Sequence, residues 1–172
     1  MKRLLFATAV SLLTATTAMA QTVYIVRHAE KVEAPGDPDP ALSEAGQARA
    51  ALLAEALRDA HPALVLTSPM QRTIRTAAPT AAYHAAPSEV VSLEGGGAAH
   101  VAATVARVRA LPADAAVLIV GHSNTVPLIA RALGYADAAD MPECEYDRMT
   151  VLHLMDGHAH GEVSRYGAPT SC

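Results

Sequence analysis

The stretch TVYIVRHAEK, Thr22–Lys31, runs five β-prone and mostly apolar residues into an arginine, a histidine and a glutamate. A strand that is apolar on both faces is covered on both faces, as strands inside a parallel sheet are. The stretch therefore predicts a buried strand over Thr22–Arg27, with Arg27 and His28 at its C-terminal tip. By itself such a tip is only a polar edge. What the later strands end in decides whether it is more.

Upstream, MKRLLFATAVSLLTATTAMA has basic Lys2 and Arg3, an apolar middle over Leu4–Leu13 and a small-x-small close at Ala18-Met19-Ala20. That order predicts a secretory signal peptide over residues 1–20, cleaved after Ala20, its apolar part too short to span a bilayer stably. The expected mature protein is a single domain over residues 21–172, periplasmic or secreted from a bacterium. Without Lys2 and Arg3, 11 basic residues face 17 acidic ones, a net charge of −6. Such a chain has no electrostatic footprint for nucleic acid or an anionic membrane. Any anion it binds must be held by individually placed arginines and histidines. With no Trp, and the one Phe inside the leader, the core must be aliphatic. In an exported chain Cys144 and Cys172 suggest one disulfide pinning the C-terminal tail, with two buried thiols as the alternative. Their spacing matches no zinc motif.

Downstream, Glu33–Pro40 (EAPGDPDP) reads as a loop, and Ser43 as the N-cap of a helix whose stripe is Leu52, Leu53, Ala56 and Leu57. A strand at Ala63–Thr67 follows, then a helix capped by Ser68 with Pro69 first, which Pro79 is expected to kink or end early. Glu89–Leu93 is a short strand. Gly95-Gly96-Gly97 breaks the chain before a helix at Ala98–Leu111. Ala115–Val120 is the strongest strand signal, and a helix runs on to Gly134. Strands at Met149–Met155 and Gly161–Tyr166 flank a turn at Asp156-Gly157. Fourfold strand–helix alternation predicts an α/β three-layer sandwich, a mostly parallel central sheet with helices on both faces.

In such sheets ligands bind outside the carboxyl ends of the strands. Those ends carry Arg27 and His28, then Arg72 and Arg75 just after Ser68-Pro69, then Glu94, then Gly121-His122-Ser123-Asn124. Two histidines and two arginines at one edge suit phosphoryl transfer without a metal. Guanidinium forks match the oxygens of a phosphoryl dianion, and an uncharged imidazole can attack its phosphorus. The start of the helix after His122 would add backbone N–H donors.

These residues resemble the histidine phosphatase superfamily, of phosphoglycerate mutase-like fold. Its Arg-His-Gly signature appears as Arg27-His28-Ala29, followed by Glu30; its Leu-Ser-x-x-Gly segment is Leu42–Gly46. Its Ser-Pro-x-x-Arg segment is Ser68–Arg72, closing with Thr76-Ala77, and its second-histidine segment is Val120–Asn124. The resemblance implies that His28 is the nucleophile, forming a phosphohistidine that water hydrolyses. It implies that Arg27, Arg72 and His122 hold the phosphoryl group, and that no metal or other cofactor takes part. Arg75 is an outer contact or a surface charge, Glu30 and Lys31 line the entrance or form a solvated pair, and Ser123 and Asn124 cap the helix.

The family's leaving-group acid follows the third strand, where Glu94 stands; an exposed loop glutamate is the competing reading, with Glu145 and Asp147 as fallback acids. A phosphoramidate leaves without such help, an alkoxide does not. No cap insertion is evident, so an open pocket is expected. Its substrate would be a phosphorylated small molecule, an envelope sugar or a phosphoprotein. The expected function is exported, metal-independent phosphatase activity on phosphomonoesters or phosphohistidine. The alternatives are a non-catalytic phosphate-binding or envelope-interaction module and, further off, a phosphoglycerate mutase-type phosphotransferase. His158 and His160 read as exposed residues on a turn, and His61, His84, His100 and His153 as helix ends or surface.

Overall fold

Six strands pair into one sheet: β1 (Gln21–Arg27), β2 (Leu64–Thr67), β3 (Ser88–Val90), β4 (Ala116–Gly121), β5 (Arg148–Met155) and β6 (His158–Arg165). Their order is β3-β2-β4-β1-β5-β6. The computed structural model describes residues 20–155 and 158–172, so the expected leader up to Met19 and the expected turn at Asp156-Gly157 lie outside the described residues. β3, β2, β4 and β1 run parallel, β5 is antiparallel to β1, and β6 to β5. Between the strands come α1 (Glu44–Ala56), α2 (Gln71–His84), α3 (Gly96–Arg109) and α4 (Val126–Ala132).

Alternate residues of β1 enter two different cores. Val23 and Ile25 pack with Val101, Val105 and Val108 of α3 and Ile129 of α4. Val26 packs with Leu53 of α1 and Ala77 of α2. This is the three-layer α/β architecture expected from the alternation, and it explains why β1 has no polar face. Each such buried aliphatic side chain contributes about 1.5–3 kcal/mol.

Local details differ from expectation. Pro79 does not end α2, which continues to His84. The ring removes one backbone donor, but Ala77 and Ala81 on either side of it are packed into the core, which offsets that loss. Ser68 does not cap α2 either. The helix starts at Gln71, whose N–H donates to the Asp39 carboxylate at 3.0 Å, a partner 32 residues away in the EAPGDPDP loop. α4 starts at Val126 rather than directly after His122, and the intervening turn is closed by the His122 N–H on Thr125 Oγ1 at 3.0 Å. Ser43 does cap α1, accepting from the Gly46 N–H at 3.1 Å.

The C-terminal segment straps two parts of the chain together. Arg49 of α1 donates to the carbonyls of Tyr166 and Ala168, Thr170 donates to Asp147, and Cys172 is bridged to Cys144. The bridge closes a loop 28 residues apart in sequence. Reducing it is expected to cost roughly 3–4 kcal/mol, mostly by freeing the unfolded chain. Urea melts with and without reductant measure this, and coincident midpoints would contradict it.

Candidate active site

The carboxyl ends of β2, β4 and β1, three neighbours in the sheet, bring Arg72, His122, Arg27 and His28 around one open cavity of about 430 Å³. The β1–β4 pairing extends past the strand ends, since the His28 N–H donates to the Gly121 carbonyl at 2.9 Å. That register sets the two imidazoles edge to face with centroids 5.4 Å apart.

His28 is 3 % exposed, and its Nδ1 lies 2.8 Å from the Ala29 carbonyl. A carbonyl only accepts, so Nδ1 carries the proton and Nε2 the lone pair. Burial pushes His28 down to about 3, against the Ala29 bond, with Arg27, His122 and Arg72 adding to the depression. Burial likewise lowers His122 to about 4, helped by Arg72, His100 and Arg27 and opposed by Glu143. Both rings are therefore neutral at pH 7. The sign for stability follows: below the ordinary histidine pKa of 6.5 the unfolded chain takes up these protons first. The two rings therefore destabilise the fold as pH falls from about 6.5 toward 3–4, and have no such effect above that window.

Arg27 is 2 % exposed and is held on one side by the segment before β5. Its Nη1 donates to the carbonyls of Pro142, Glu143 and Glu145, its Nη2 to the Glu143 carboxylate at 2.7 Å, and its guanidinium lies 4.2 Å from the Tyr146 ring centre. Arg72 donates to Asp39 at 3.2 Å. Among the described residues, no acceptor reaches the buried Nε of Arg27 or of Arg72. An orphaned buried donor costs about 1–3 kcal/mol. Both arginines line the cavity beside His28.

Supporting contacts explain the rest of the motif residues. The Ser68 hydroxyl sits 2.9 Å from His122 Nε2 and 3.0 Å from Thr73 Oγ1, so this serine orients an imidazole rather than capping a helix. Thr76 accepts from the Ala29 N–H at 2.9 Å and fixes the backbone just past His28. Glu30 points away from the cavity to a bidentate pairing with Arg49, while Lys31 lines the cavity. Arg75 is exposed on α2. His100 is buried within α3, bonded to the Ser92 carbonyl, rather than at a helix end or on the surface.

Among the acids, Glu94 is exposed and does not line the cavity, although its neighbour Leu93 and Gly97 do. Glu145 and Asp147 are buried in ion pairs with Arg148 and Arg165. The carboxyl group that does line the cavity is Glu143, bonded to Arg27 and to the Ser123 hydroxyl. Ser123 is thus not a helix cap. Sequence reasoning passed over Glu143; its one local signal was adjacency to Cys144.

Residues 23–94 match the family model of the histidine phosphatase superfamily, branch 1. Among solved structures, a candidate phosphohistidine phosphatase, SixA, of Nakamurella multipartitia is 29% identical with a TM-score of 0.61, covering 88% of this chain and 98% of its own. The corresponding SixA protein of Agrobacterium tumefaciens is 23% identical with a TM-score of 0.61, covering 86% and 97%. A phosphoglycerate mutase of Bacillus anthracis str. Sterne is 18% identical with a TM-score of 0.65, covering 86% and 93%. The last two bear on the fold alone. No curated protein matches the sequence.

Proposed function

We propose that the chain is a histidine phosphatase, exported and working without a metal, with His28 as its nucleophile; the match of residues 23–94 to the family model supports the reading. The observation that carries this is the convergence of Arg27, Arg72 and His122 on one cavity around a neutral His28. A phosphoryl dianion in that cavity would meet both guanidinium groups. His28 Nε2 attacks phosphorus as the bond to the leaving oxygen breaks, and water then cleaves the N–P bond to release phosphate. The dianion beside His122 raises that ring's proton affinity, so His122 takes up a proton on binding and donates it to a non-bridging oxygen. Arg27 is aligned for its role by Tyr146 and the carbonyls of Pro142, Glu143 and Glu145, and Arg72 by Asp39.

The open cavity suits a phosphate displayed on something larger than itself, a phosphoprotein or an envelope sugar. Similarity to the Nakamurella protein brings phosphohistidine into that set. The leader pattern of residues 1–20 and the Cys144–Cys172 bridge support export.

The purified protein is expected to hydrolyse p-nitrophenyl phosphate in excess EDTA. A quenched single turnover should carry one phosphate per chain, stable in base and lost in acid. Loss of activity in EDTA would sink the metal-free reading. Absence of both turnover and phosphoenzyme would leave a phosphate-binding module instead.

A further inference from the structure

Glu143 bonds Arg27 with one carboxylate oxygen, at 2.7 Å, and the Ser123 hydroxyl with the other. Its side chain is 81 % exposed, on the open side of the cavity. The leaving group must occupy that side, because His28 attacks from the buried floor and displacement is in line. The other nearby acids do not line the cavity. Asp39 is spent on the Gln71 N–H and Arg72, Glu145 on Arg148 and Arg165, and Asp147 on Arg165 and Thr170.

We propose that Glu143 is the group that protonates the leaving oxygen, the task sequence analysis gave to Glu94. The assignment rests on the phosphatase reading. In the substrate-free protein the carboxylate shares Arg27 with nothing else anionic. When a phosphoryl dianion enters the cavity beside the same guanidinium, two anions compete for one cation. A neighbouring dianion disfavours a second ionised group, so the complex favours the protonated carboxyl at Glu143. As His28 attacks, the P–O bond breaks and that proton goes to the departing oxygen, leaving an alcohol and the Glu143 carboxylate. In the second half, water attacks the phosphohistidine, its proton returns to the carboxylate, and the N–P bond electrons return to His28. The bridge at Cys144 holds this carboxylate in register with Arg27.

The test compares an alkyl phosphate, which leaves as a poor alkoxide, with 2,4-dinitrophenyl phosphate, whose leaving group needs no proton. Glu143→Gln preserves the shape and the acceptor for Arg27 but carries no transferable proton. It is expected to lower kcat about 10²–10³-fold on the alkyl ester and less than about 3-fold on the dinitrophenyl ester. Glu143→Asp, which keeps the carboxyl group, should recover part of the alkyl activity. Equal loss on both esters would reduce Glu143 to positioning Arg27 and overturn the assignment. Unchanged activity on both, or a selective loss in Glu94→Gln instead, would overturn it too. If the unaltered protein cleaves neither ester, the phosphatase reading itself fails, an outcome distinct from the others.

Discussion

His28→Ala is expected to reduce phosphate ester hydrolysis on the order of 10⁴-fold or more while leaving phosphate binding in place. The reasoning is geometric. The Nδ1–H of His28 is committed to the Ala29 carbonyl, so Nε2 carries a lone pair without any base having to remove a proton. Its depressed pKa of about 3 keeps that lone pair available across the whole neutral range. His122 cannot substitute, because its Nε2 is engaged by Ser68 and its ring stands on the neighbouring strand end. The arginines do not depend on His28 for their orientation, since residues 142–146 hold Arg27 and Asp39 holds Arg72. Turnover of p-nitrophenyl phosphate and the thermal shift produced by inorganic phosphate are the paired readouts. Retention of more than about a hundredth of the activity would move the nucleophile elsewhere. Loss of the phosphate-induced shift together with turnover would show that His28 organises the whole cavity.

Gly46→Ala should be the most damaging single methyl group that can be added near the site. A Cβ at Gly46 would lie 2.0 Å from the Glu30 carbonyl oxygen and 2.9 Å from its carbon, both backbone atoms with no flexible side chain to yield. α1 approaches so closely because Ser43 donates from its N–H to that same carbonyl and Arg49 grips the Glu30 carboxylate. Adding the methyl group must push the helix start or the segment just past His28. The expected cost is about 3 kcal/mol, the upper range for overpacking. For a chain of this size that corresponds to roughly 6–12 °C in Tm. Because Glu30 is two residues from His28, activity should fall even below the transition. A melting temperature within about 2 °C of the unaltered protein would show that the contact relaxes cheaply.

The layout was legible in the sequence wherever one residue's environment leaves a local mark. A strand buried on both faces must be apolar throughout, which is how TVYIV and AVLIV announced neighbouring interior strands. Gly46 and Thr76 were visible as motif positions, though their reasons, a backbone contact and a hydrogen bond behind His28, needed coordinates. Partners that meet only through space left no mark. Asp39 reaches Gln71 across 32 residues, and Glu143 reaches Arg27 across 116. α2 runs on past Pro79 because Ala77 and Ala81 on either side of the ring pack into the core, which outweighs the proline's local preference to end a helix.

The position of β1 has one more consequence. It is bonded along its length on both sides, to β4 and to β5, so its amides can exchange with solvent only when the sheet itself opens. The segment 142–146 belongs to no strand and is held by side-chain bonds, one backbone bond within its own turn and a single bridge. Hydrogen exchange should therefore divide the cavity into a wall that breathes and a wall that does not. Arg27 is the side chain that spans the two, fixed at its root and reporting the motion of the other wall at its tip.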